Sequence, residues 1–292
     1  MMKVLITGTN GFLGNHLLSY LAKFDFQLYS ITRSALINHQ KVEVQSFIGD
    51  VTNKMFIEEV IQNIKPNAIV HCAAMSKPDD CENNKELCWK TNVLSTQHLI
   101  EASLAFNSHV VFCSTDFVYG EGENHTEEDA CNPLNYYAQS KLAAEKIVKK
   151  ATKNYTIIRP VFMYGHEIVG VRKSFVQWVK ESLEQNKNIK VVNDQFRTPT
   201  YVVDVCSAIQ TILSNNKTGT YNIAGSEILT PYQMAIILAK QLNLDENLIK
   251  PVTENDFKEP VQRAKRSIAN IDKAKLNLGF NPIDFSKFNF YS

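Results

Sequence analysis

Lys3-Val4-Leu5-Ile6-Thr7-Gly8-Thr9-Asn10-Gly11-Phe12-Leu13-Gly14 is the stretch that decides how this chain folds. A short apolar run stops at three glycines, each three residues from the next, and Leu17, Leu18 and Leu21 then repeat at helical spacing. That is a strand, a tight turn and a helix. Glycine at 8, 11 and 14 permits the turn, close approach of backbone to a pyrophosphate, and close packing of helix on strand. The free amides and positive dipole end of such a helix, around Asn10, Phe12 and Leu13, then face the phosphates. The spacing is G-x-x-G-x-x-G rather than the commoner G-x-G-x-x-G. Its weight comes from its place between a first strand and a first helix. The same turn cuts the apolar run Val4-Leu5-Ile6 too early for a secretory leader.

The N-terminal half repeats this rhythm. Residues 3–7, 26–32, 42–48, 68–72, 110–114 and 156–159 read as strands, separated by helical patterns such as Ile57, Val60, Ile61 and Ile64. Strands that are apolar almost throughout are buried on both faces, which requires a parallel sheet covered by helices. The expected fold class is α/β: a doubly wound parallel sheet of Rossmann type with a smaller C-terminal substrate-binding lobe. Residues 1–160 would form the dinucleotide-binding domain and 161–292 the smaller lobe, with the chain returning to the sheet around 200–225. Within that lobe, 173–185 and 231–242 read as helices and 190–192 and 220–223 as strands. The tail from Asp256 reads as loop-rich and carries Lys258, Arg263, Lys265 and Arg266.

The 292 residues are 44% hydrophobic and 21% charged, with a net charge of +1, which gives no electrostatic motive for binding nucleic acid or an anionic membrane. No apolar run approaches the roughly 18–20 residues of a membrane helix. The expectation is a cytoplasmic enzyme or binding protein. The six cysteines form no C-x-x-C and none is spaced with a histidine as a zinc site requires, so no metal is expected. Cys72, Cys113 and Cys206 read as small core residues.

The second strand ends Ser30-Ile31-Thr32-Arg33-Ser34. An NAD site wants a carboxylate there for the ribose, whereas a 2′-phosphate suits Arg33, so NADPH is expected over NADH. Asp50, followed by Val51 after the third strand, stands either where an adenine amino group meets it or at a helix start. Further on, Ser114-Thr115-Asp116 follows the fifth strand and Tyr137-Ala138-Gln139-Ser140-Lys141 comes after Pro133, which is expected to open a helix. Tyr137 and Lys141 then share one helical face. A phenol titrates near 10, but a lysine charge about 4 Å away at an effective dielectric of about 20 supplies roughly 4 kcal/mol, about three pKa units. Tyr137 is therefore the candidate acid–base group, and Thr115 the hydroxyl that steadies the substrate oxygen.

These residues carry a resemblance. Thr7 to Gly14, His71-Cys72-Ala73-Ala74, Thr91-Asn92-Val93, Ser114 to Gly120, Tyr137 to Lys141 and Arg159-Pro160 are similar, in the same order, to the extended short-chain dehydrogenase/reductase superfamily. Within it the chain most resembles the dTDP-4-dehydrorhamnose reductases, through residues 73–82, 114–119, 194–200 and 266–276. The resemblance implies that Tyr137 protonates the 4-keto oxygen of a sugar nucleotide and that Lys141 lowers its pKa and holds the nicotinamide ribose. It further implies that Thr115 completes the triad, Asn92 supports a relay to solvent, and Ala73 and Ala74 flank the cofactor. Ser76, Asp116, Phe162, Gln195 and Arg197 would face the sugar.

The chain also departs from that family. Phe117 stands where the family has a tyrosine, Phe162 where it has a tryptophan, and Arg197 where it has a glycine. Arg159-Pro160 is closer to the 4-epimerases, which keep the same triad and commonly retain NAD. A dehydratase would need a glutamate at position 117, which is phenylalanine. The stretch Lys77-Pro78-Asp79 with Glu82 also resembles the β subunits of methionine adenosyltransferase, a regulatory class that keeps the tyrosine–lysine pair. As often in this superfamily, helices over 83–107 and 133–154 could pair two copies into a homodimer.

Overall fold

The computed structural model describes residues 1–38, 40–256 and 261–291. Its centre is a seven-stranded, wholly parallel sheet. The strands are β1 (Met2–Thr7), β2 (Phe26–Thr32), β3 (Gln45–Ile48), β4 (Ala68–His71), β5 (His109–Cys113), β6 (Tyr155–Pro160) and β7 (Gly219–Ile223). Their spatial order is β7-β6-β5-β4-β1-β2-β3. The order reverses at β1, so the strand ends around β1 and β4 open a crevice at the carboxyl edge.

The β1, β4 and β5 side chains are buried on both faces because helices cover both. On one face the helices Phe12–Leu21 and Val202–Ser214 pack Leu17, Leu18, Leu21, Val205 and Ile209 against Val4, Ile6 and Val70. On the other, Lys54–Ile64 and Ser95–Leu104 bury Ile57, Ile61 and Leu99 against Leu5 and Ile69. Fully burying one such side chain is worth about 1.5–3 kcal/mol, so these stripes fix the layering.

A second apolar core gathers Tyr164, helix Phe175–Glu184, helix Pro231–Gln241 and the terminal Phe285, Phe288 and Phe290. The helix from Pro231 starts where it does because Thr230 caps it. Its hydroxyl accepts from the Gln233 amide at 3.2 Å while the Gln233 side chain accepts from the Thr230 amide at 2.9 Å. Two short parallel pairs complete this region, Ile189–Val192 with Ile249–Val252 and Met163–Tyr164 with Thr200–Tyr201.

Three sequence expectations need correction. The third strand begins at Gln45, not at 42, because the side chain of Asn38 takes both backbone groups of Val42 at 2.8 and 2.9 Å. It is also a mostly exposed edge rather than a buried strand. The helix expected from Pro133 starts at Tyr136, where the Asn135 side chain accepts the Ala138 amide at 3.0 Å. Lys258 lies outside the described residues.

Candidate active site

The glycine turn is held by its neighbours. Gly8 has φ +73°, a conformation that disfavours any side chain, and a Cβ there would stand 2.7 Å from the Ala73 nitrogen. A Cβ on Gly14 would meet the Gly8 oxygen at 2.3 Å. The turn thus presses against the ends of β4 and β1. Gly11 precedes helix Phe12–Leu21 without a side-chain cap, which leaves the first-turn amides available to an anion. Asn10 ties the segment after β2 to the turn, accepting from the Ile37 amide at 2.8 Å and donating to the Ala35 carbonyl at 2.9 Å. Asn15 adds a bond to the Ile37 carbonyl. Arg33 is exposed on this segment. Asp50 accepts from the Thr52 amide at 2.8 Å, while the helix beyond it is capped by Asn53. Asp50 is a turn residue, not the cap.

From this turn a cavity of about 840 Å³ runs along the carboxyl edge. Of the candidate catalytic, cofactor and substrate residues, all but Asn92 and Gln195 line it: Gly8, Asn10, Gly11, Phe12, Leu13, Gly14, Arg33, Asp50, Val51, Ala73, Ala74, Ser76, Thr115, Asp116, Tyr137, Lys141, Phe162 and Arg197.

At the reacting end, Thr115 follows β5 and Tyr137 opens the helix Tyr136–Ala151, with both side chains buried. Burial raises the Tyr137 phenol above its ordinary value, and the negative charge of Asp116 adds to this; a hydrogen bond with Thr115 pulls the other way. Lys141 is 2% exposed, and burial pulls its ammonium down to about 8. Its Nζ sits 4.1 Å from the centroid of the Phe112 ring. Burial is the largest influence on both groups. The upward shift keeps the Tyr137 phenol protonated. Phe117 meets its ring edge-on at 6.0 Å.

Asn92 stands behind the wall, in a single π-helical turn, Lys90–Leu94. Its side chain accepts from the Met75 amide at 2.8 Å, and donates to the Met75 carbonyl at 3.0 Å and to the Ser140 hydroxyl at 2.9 Å. It thereby fixes the loop after β4 to the helix that bears Tyr137. His71, kept neutral by burial that lowers it to about 3, does similar work between β1 and the helix Ser95–Leu104. Its ring bonds the hydroxyls of Thr7 at 2.7 Å and Thr96 at 3.1 Å. Deeper still, Arg159 grips Glu145 through Nε at 2.9 Å and Nη2 at 2.6 Å, while Ser114 donates to the same carboxylate at 2.6 Å. Arg159 is thus part of the framework and does not line the cavity.

The far side of the cavity is built from distant pieces. Phe162 adopts φ +33°, strained for an aromatic residue, and packs on Phe175 with ring centres 5.6 Å apart. Arg172 donates to Ser76 at 3.1 Å across the mouth. Gln195 instead turns inward, with its amide toward Glu254 at 3.4 Å. The sequence reading missed Met75, Lys77, Arg172, Lys173 and Phe175, all of which line the cavity. The adjacent basic pair Arg172-Lys173, just ahead of a helix, was the available signal. Among the described residues no His, Cys, Asp and Glu group is placed to hold a metal, and no helix is long and apolar enough to cross a membrane.

Comparison with known proteins agrees with this geometry. The dTDP-4-dehydrorhamnose reductase of Bacillus anthracis, solved in complex with NADP, superposes with a TM-score of 0.84 at 28% identity, covering 98% of this chain and 97% of that one. In sequence the chain is 26% identical to the dTDP-4-dehydrorhamnose reductase of Aggregatibacter actinomycetemcomitans, over 98% of this chain and 97% of the relative. It is 29% identical to the methionine adenosyltransferase 2 subunit beta of Rattus norvegicus, over 94% of this chain and 81% of the relative. The family profile described as RmlD substrate binding domain matches residues 2–288, and the chain belongs to that family, within the extended short-chain dehydrogenase/reductases.

Proposed function

We propose that this protein reduces the 4-keto group of a sugar bound to a nucleoside diphosphate, with NADPH as reductant, and that dTDP-4-dehydro-L-rhamnose is the first substrate to assay. The observation that carries the reading is the convergence of Thr115, Tyr137 and Lys141 on the cavity that begins at the Gly8–Gly14 turn. The uncapped helix start and the open turn fit a dinucleotide, and the exposed Arg33 favours a 2′-phosphate; NADH is the weaker ligand.

Bound NADPH supplies the hydride. Thr115 holds the carbonyl oxygen, and Tyr137, kept protonated by its burial, delivers the proton to it. Lys141 faces the forming charge as a buried cation whose stabilising effect grows in a water-poor cleft. Asn92 and His71 act through position, holding the Met75 loop and the β1 and β4 ends in place. The reading includes a cytoplasmic setting and pairing of two copies through the helices around 83–107 and 133–154.

The test follows oxidation of NADPH with dTDP-4-dehydro-L-rhamnose by wild type and Tyr137→Phe. Turnover should fall by about 10²–10⁴ in the variant while NADPH binding persists. Equal turnover in both would remove Tyr137 from the chemistry. The likeness to the methionine adenosyltransferase subunit favours a second reading, a regulatory subunit. Stoichiometric association with a methionine adenosyltransferase catalytic chain, without NADPH consumption, would select it.

A further inference from the structure

Lys141 is buried, and its ammonium rests over the face of the Phe112 ring, 4.1 Å from the ring centre. Among the described residues no carboxylate pairs with its Nζ. Glu145, one turn on, is taken by Arg159, Ser114 and Lys149. The other groups that face Lys141 are His71, Cys72 and Cys113 at the ends of β4 and β5, and Cys88 on the helix Lys85–Trp89. Burial keeps His71 neutral, and the bond to Cys113 together with burial holds the Cys72 thiol up. Cys88 is drawn down to about 7, first by its bond with Cys81.

Phe112 is wholly buried on β5, in a cluster with Ile100, Ala144 and Val148, and the His71 ring lies 5.8 Å from its own. It does not line the cavity. A ring face attracts an ammonium through its quadrupole, more strongly where water is excluded, and leaves the charge uncancelled. A carboxylate in the same place would neutralise the cation. Val110 and Val111 show what packing alone asks of this strand; the aromatic stands at the position that meets Lys141.

We propose that Phe112 is a positioning residue for the reduction: its ring face seats the Lys141 ammonium at the cavity wall and keeps it charged there. This rests on the reductase reading above. The test places mono-, di- and trifluorinated phenylalanine at position 112, which weakens the ring face stepwise at nearly constant shape, and adds Phe112→Leu. Two readouts use the full-length protein. One is kcat for NADPH oxidation with dTDP-4-dehydro-L-rhamnose against pH. The other is the NMR titration of isotope-labelled Lys141, assigned by its absence in Lys141→Met, which separates it from Cys88. The titration, about 8 in the wild type, should move down with each fluorine, by about one pH unit for the trifluorinated ring and Phe112→Leu. Near pH 8 that shift lowers kcat about fivefold, and the deficit should shrink near pH 6.

A Lys141 titration that ignores the fluorine series overturns the inference, however much kcat changes, because a ring needed only for packing gives no such gradient. If Phe112→Leu does not fold, the fluorinated series decides. Brisk wild-type turnover without the gradient removes Phe112 alone and leaves the reductase reading standing. Where wild type binds NADPH but does not reduce this sugar, the Lys141 titration decides by itself. A wild type that neither binds NADPH nor reduces the sugar overturns the proposed function and this inference with it.

Discussion

Lys141 and Glu145 lie one turn apart on the helix Tyr136–Ala151, both buried, and the protein treats them in opposite ways. Glu145 is answered on every side: Arg159 grips it with two bonds and Ser114 adds a third. Lys141 is answered mainly by an aromatic face, and burial draws its ammonium down to about 8. The first charge is part of the framework that docks the helix on β5 and β6. The second is held where folding alone gains nothing from it, which fits the role proposed for it above.

Breaking the framework should have the largest effect. Glu145→Ala leaves the Arg159 guanidinium buried and unpaired, and should lower unfolding stability by about 3–5 kcal/mol. Replacing both partners, as in Glu145→Leu with Arg159→Met, should return most of that loss in denaturant titrations. If the double variant is no better than the single one, the pair is not the source of the effect.

Lys141→Met should do the reverse. A lysine lowered from 10.5 to about 8 carries about 3 kcal/mol of unfavourable burial at pH 7. The variant should therefore lose turnover yet unfold at an equal or higher temperature. The sign of the pH dependence follows. Between about 8 and 10.5 the unfolded chain binds more protons than the folded one, so wild-type stability should rise with pH across that window relative to the variant. Reductase activity should instead decline as pH rises through about 8, when Lys141 loses its charge. A Lys141→Met protein less stable than wild type at pH 7 would end the contrast.

Arg33 extends the comparison to a charge left in water. Arg33→Ala should leave stability within about 0.5 kcal/mol, because no buried partner depends on it. It should raise the KM for NADPH about tenfold while leaving that for NADH unchanged. Steady-state kinetics with both cofactors measures this smallest effect.

Much of this was legible in the chain because it is local. The strand–glycine–helix stretch at 3–21, the apolar strands and the Tyr137/Lys141 spacing each depend on neighbours within a few residues. The edge strand was misjudged because Asn38 competes for the backbone of Val42, a side-chain contact that apolar periodicity does not register. Gln195 and Arg197 are two residues apart, yet one turns inward to Glu254 and the other lines the cavity. That choice is set by residues some 60 to 70 positions later, so nothing near them in sequence announces it. The burial of Tyr137 and Lys141 was likewise not visible in sequence, since burial is a property of the assembled site.

That assembly has an order in time. The hydroxyl that steadies Asp116 comes from Ser267, 151 positions downstream, and the Asp79 carboxylate is reached by Arg263, 184 positions away. During synthesis the glycine turn and first strands emerge with all their local partners. The wall around Asp79 and Asp116 has to wait for nearly the last tenth of the chain. Contacts of such long range close slowly. A nascent chain stalled near residue 250 would hold the Gly8–Gly14 turn and the Thr115, Tyr137 and Lys141 segments but lack the tail carbonyls that orient Arg197, so the cavity wall opposite the glycine turn would be the last part to form.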